Sequence, residues 1–168
     1  MNRKNRLALK LMALCMATVG WSGVHAADVI ISAERLLDVK TGRMIDKPEI
    51  LVRDGKVVSI GRAGGAAAAG GAAAAGEVPT RIDLPGMTLL PGLIDMHVHL
   101  DSDPTYGGYS YLEYNDRFWS ALAVVHAGKT LDAGFTTVRN LGASDWNDVG
   151  LGQAIAAGKV RGPRIVPA

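Results

Sequence analysis

From Leu93 onward the sequence alternates in a way that few folds accommodate. An apolar run (Leu93–Leu100) is followed by a polar Gly/Tyr loop, a helical stretch, a β-branched run (Phe135–Val138), a second helical stretch and a third apolar run opening at Arg164. Strands separated by helices are joined by crossovers rather than tight turns, so this order predicts βαβ units and a parallel sheet. The first helix is expected over Glu113–Asp132, where Phe118, Ala121, Leu122 and Val125 recur at helical spacing and Gly134 offers a left-handed stop. Asp148 is expected to cap the second helix, which ends near Gly158.

The stretch before this, residues 27–92, reads differently. Val29-Ile30-Ile31, Ile50-Leu51-Val52, Val57-Val58, Arg81–Leu84 and Met87–Leu90 are short apolar or alternating runs broken by turn residues, which predicts a small β-rich segment. Asp54-Gly55 separates two of the runs by two residues and predicts a type I′ hairpin from Glu49 to Ile60. Within residues 63–76 lies GGAAAAGGAAAA, with no side chain larger than methyl. Paired glycines cost about 1 kcal/mol each relative to alanine in a helix, so this is expected to be a loop insertion.

Residues 1–26 read as an export signal: Arg3, Lys4, Arg6 and Lys10 precede the apolar run Leu11–Trp21, and Val24-His25-Ala26 makes a small-residue exit. Eleven apolar residues fall short of the ~20 needed to span a bilayer, so the expected location is periplasmic or secreted, with no membrane attachment after cleavage. Without those 26 residues, 14 basic side chains face 16 acidic ones, a net charge of −2. That balance argues against a nucleic-acid partner. Cys15, the one cysteine, leaves with the signal, so disulfides and thiolate sites are excluded from the remainder.

The chemistry concentrates in LIDMHVHL. Strand side chains alternate faces, which places Asp95, His97 and His99 on one side and Met96, Val98 and Leu100 on the other. Two neutral imidazoles at i and i+2 can converge on one metal ion. A pair of core histidines is the plainer alternative, but both rings would then need buried polar partners, so metal ligation by His97 and His99 is favoured. Asp95 has two equal readings, a carboxylate orienting a histidine or a short side chain bonded to backbone. His126 falls within the first helix and is read as structural or surface. Arg139 and Asn140 end the second strand at the same rim as the histidines, where they could line a pocket, but an arginine at a strand end is more often part of a structural ion pair. Tyr106, Tyr109 and Tyr111 lie in the loop Asp101–Leu112 and could contact a substrate, but glycine-rich loops often carry tyrosines for packing, so none is assigned to a site.

PGLIDMHVHL after a β-rich segment, together with GFTTVRNLGA and GPRIVPA, resembles the amidohydrolase superfamily from about Asp28 to Ala168. EYNDRFWSALAVVHAGKTLDAGFTTVRNLGA is most similar to its imidazolonepropionase-like branch, which includes Xaa-Pro dipeptidases and relatives cutting before Lys or Arg. The resemblance implies an α/β fold, the N-terminal part of a (β/α)8 TIM barrel preceded by a small β-sandwich segment. It implies two Zn²⁺ ions, with His97 and His99 matching the first-strand ligands and the remaining ligands on later strands. It implies an exported hydrolase that cuts a C–N bond of a small-molecule or dipeptide substrate with a zinc-activated hydroxide. Cyclic-amide hydrolysis, deamination, or a non-enzymatic metal-binding role are the competing expectations. Residues 93–168 amount to about two and a half βα units where a barrel takes ~250 residues, so the barrel is expected to be incomplete and this stretch inactive alone.

Overall fold

A computed structural model of the chain describes residues 28–62 and 78–168. The expected export signal of residues 1–26 and the whole Gly/Ala stretch of residues 63–76 lie outside the described residues. The described residues divide into two compact units, 28–36 with 44–62 and 78–88, and 37–43 with 89–168.

The first unit is built on β1 (Val29–Asp38), β2 (Arg43–Asp46), β3 (Pro48–Arg53), β4 (Lys56–Arg62) and β5 (Thr80–Leu89). They form one five-stranded sheet in the order β2-β1-β3-β4, with β5 also paired to β1, where the sequence suggested a sandwich. β1 and β3 are antiparallel, with Ile30 opposite Leu51. The β3–β4 hairpin is the one expected: Asp54 and Gly55 both have positive φ, 49° and 71°, as a type I′ turn requires. Its register shifts between Leu51 and Val52. The Arg53 guanidinium donates to both oxygens of Asp28, at 2.8 and 2.6 Å, and holds that carboxyl below its usual pKa.

The second unit contains β6 (Leu93–Val98), α1 (Asp116–Asp132), β7 (Phe135–Asn140), α2 (Asn147–Ala156) and β8 (Arg164–Pro167). The three strands form a parallel sheet in the order β6-β7-β8, as the alternation predicted. Pro91-Gly92 leads into β6, and glycine is required there because a Cβ would stand 2.1 Å from Thr136 Oγ1. Leu100, Ala123, Ala127, Val138 and Leu151 form the buried core between strands and helices.

Three local expectations need correction. α1 starts at Asp116, capped by the Asn115 side chain, which accepts from the amides of Arg117 and Phe118; the preceding residues Gly108–Glu113 form a 3-10 turn. Its buried residues are Trp119, Ala123 and Ala127, one position round from the expected stripe, and Val125 is exposed. The helix is apolar on most sides, so periodicity could not select a face, whereas the alanines let its backbone approach the sheet. Asp148 does not cap α2. Trp146, at φ 60°, is the capping position, and Asp148 is buried in the first turn. The stop after α1 is as expected, with Gly134 at φ 94° and its amide bonded to the carbonyl of Leu131.

Candidate metal centre

In β6 the period-two rule holds at the end that matters. Val98 and Leu100 pack on the core, and the His97 and His99 rings stand beside each other, centroids 5.3 Å apart and planes at 70°. Both side chains are exposed, and neither imidazole has a hydrogen-bond partner among the described residues. Asp95 does not continue the row. Between Asp95 and Val98, β6 carries one residue more than the facing part of β7, which breaks the alternation. Its carboxylate accepts from the backbone amide of His97 at 3.0 Å, which settles its open reading in favour of backbone. Met96 is exposed rather than buried opposite the histidines.

The histidine pair fits a transition-metal ion. Two imidazoles on one tetrahedral ion at about 2.0–2.1 Å per Zn–N bond have ring centroids about 5 Å apart, close to the separation found. The exposed rings with unclaimed nitrogens are suited to accept one. Among the described residues no cluster of three or more His, Cys, Asp or Glu is assembled, so His97 and His99 would offer an ion two ligands and not a full set.

The loops that follow β6 and β7 are knitted together by buried polar groups, of which Asn140 and Asp148 were read from the sequence in other roles and Asp101 in none. Asn140 is fully buried; its Oδ1 accepts from the Leu100 amide at 2.8 Å, and its Nδ2 donates to the Gly142 carbonyl and to Asp148. Asp101, also buried, accepts from the Ser144 amide at 2.9 Å. Arg139 is exposed and joins no ion pair among the described residues. His126 is structural, as expected: Nδ1 bonds to the Leu100 carbonyl at 2.8 Å, and Nε2 lies 3.5 Å from Asp103. The Thr105 hydroxyl and amide donate to Asp103 and hold its carboxyl below the usual range, with the His126 ring a lesser contributor.

Tyr106 and Tyr111 pack against buried Trp119, Tyr111 stacked at 4.5 Å, whereas Tyr109 is 90% exposed. A groove of about 540 Å³ runs between α2 and β8, lined by residues such as Val149, Gly152, Ile155 and Ile165. It contains neither histidine and flanks the open edge of the sheet.

A parallel α/β unit that presents paired histidines at the C-terminal end of its first strand defines a class, and the comparisons give it a family. Residues 88–168 match the model of the amidohydrolase family. The match and the structural neighbours support assigning residues 88–168 to the amidohydrolase superfamily. No curated protein matches it. Among solved structures it is similar to a Xaa-Pro dipeptidase with methionine bound in its active site, at 30% identity and TM-score 0.68 over 84% of this chain and 33% of that one. It is also similar to a prolidase complexed with N-methylphosphonate-L-proline, at 25% identity and TM-score 0.65 over 84% and 31%. Molinate hydrolase, at 24% identity and TM-score 0.67 over 86% and 30%, shares the fold. The chain spans about a third of the length of these relatives.

Proposed function

We propose that this chain contributes the first strands of a metal-dependent hydrolase that cuts the C–N bond of dipeptides, Xaa-Pro or Xaa-Lys/Arg, with zinc held by His97 and His99. The observation that carries the reading is the juxtaposition of the two exposed imidazoles at the C-terminal end of β6. In α/β barrels that end of the strands carries the active site. Similarity to a Xaa-Pro dipeptidase and a prolidase supports the substrate class.

When bound, zinc supplies Lewis acidity and lowers the pKa of coordinated water to about 7. The chain's own residues do the holding. His97 and His99 would ligate through ring nitrogens that no group among the described residues claims, and Asp95 fixes the backbone at His97. The loop after β6, anchored by Asp101 and Asp103, stands at the rim that a substrate approaches.

The test uses the complete product of the gene. Release of free amino acids from Ala-Pro, Ala-Lys and Ala-Arg is followed with added Zn²⁺ and after chelation. The expected result is release from at least one of the three that chelation abolishes. Turnover of cyclic amides or aminated heterocycles in their place would contradict the dipeptidase reading.

We also propose export, on the basic start, short apolar run and small-residue exit of residues 1–26. The expected N-terminus of protein recovered from periplasm or medium is Ala27. Recovery there with Met1 intact would contradict this.

A further inference from the structure

Both backbone polar groups of Leu100, the residue after His99, are held by side chains from other elements. Its amide donates to Asn140 Oδ1 on β7 at 2.8 Å. Its carbonyl, which can only accept, accepts a hydrogen bond from His126 Nδ1–H on α1 at 2.8 Å. On the other side of His99, the Val98 carbonyl accepts from the Leu141 amide at 2.9 Å. The two peptide groups flanking His99 are therefore tied to the end of β7 and the residue after it, and the next peptide group, Leu100–Asp101, to α1, although the His99 ring itself is exposed and bonded to nothing among the described residues.

The holding groups are themselves held. Asn140 is fully buried and its amide nitrogen is shared between Gly142 and Asp148. The far nitrogen of His126 faces Asp103 at 3.5 Å, and Asp103 is set by Thr105. A buried asparagine satisfied on both ends and a histidine spanning a carbonyl and a carboxylate have little rotational freedom. They transmit that rigidity to the backbone from which His99 projects.

We propose that His126 and Asn140 are positioning residues for the metal centre, fixing the Leu100 peptide groups and thereby the separation of the His97 and His99 rings. This rests on the reading of those histidines as ligands. Metal–ligand distances tolerate only about 0.2 Å of error, so a strand end that drifts loses affinity. Removing groups that orient ligands typically costs 10–100-fold in metal affinity.

Two nearly isosteric variants separate positioning from bulk stability. In His126→Asn the amide nitrogen occupies the place of Nδ1 and can still donate to the Leu100 carbonyl; in His126→Gln it reaches the place of Nε2, keeping Asp103 and losing Leu100. Zinc affinity of the complete gene product is measured by competition with a chromophoric chelator, alongside thermal unfolding of the metal-free protein. Expected is His126→Asn within about twofold of wild type and His126→Gln weaker by about tenfold, with similar unfolding midpoints for the two variants. Equal zinc affinity of the two variants overturns the proposal, whether or not both are destabilised. A His97→Ala, His99→Ala control identifies the other failure: if it binds zinc as tightly as wild type, the ligand assignment is wrong and the positioning role falls with it.

Discussion

Replacing His97 and His99 together by alanine is expected to lower kcat/KM of the complete gene product toward the proposed dipeptide substrates by about a thousandfold or more. The metal contributes several kcal/mol of transition-state stabilisation, and each 1.36 kcal/mol is a factor of about ten. Stability of the metal-free protein should hardly change, because both imidazoles are exposed and neither makes a hydrogen bond among the described residues. Steady-state kinetics beside a urea titration separates the two effects. A double variant that keeps activity within tenfold of wild type would show that these histidines are not ligands of a catalytic metal.

The largest effect on folding is expected at Trp119. It is 1% exposed and meets Tyr106, Tyr111, Tyr114 and Phe118 within ring-centroid distances of 4.5–6.0 Å. Trp119→Ala removes the largest fully buried side chain and leaves four rings facing a void, a loss of about 3–5 kcal/mol. Against a total stability of about 5–15 kcal/mol that is a large share. Tyr109, from the same loop but 90% exposed, is the control, and Tyr109→Ala should stay within about 0.5 kcal/mol of wild type. The check is the urea midpoint of each; equal midpoints for the two variants would mean that the aromatic cluster does not anchor the loop to α1.

What could be read from the sequence was whatever short-range physics decides. Asp54-Gly55 makes its hairpin turn because both residues accept positive φ, and Gly134 ends α1 for the same reason. The strand–helix alternation gave the parallel sheet because helical crossovers leave few other arrangements. His97 and His99 came out adjacent because two residues are one strand period.

The misses have long-range causes. An extra residue in β6 removes Asp95 from the histidine row, and nothing in LIDMHVHL marks that bulge. The buried face of α1 is chosen by the sheet it meets, not by its own weakly amphipathic pattern. Asn140 looked like a rim residue, yet it is the hub between Leu100, forty positions earlier, and Asp148. Only a polar side chain at the end of an apolar strand hinted at that role, and the hint named no partner.

The most direct test of the account is the metal content of the complete gene product, purified, chelator-stripped and reloaded with zinc, then measured by mass spectrometry for wild type and for His97→Ala, His99→Ala. The account predicts that wild type retains at least one zinc per chain after desalting, while the double variant retains at least one fewer. Equal zinc in the two proteins would contradict it.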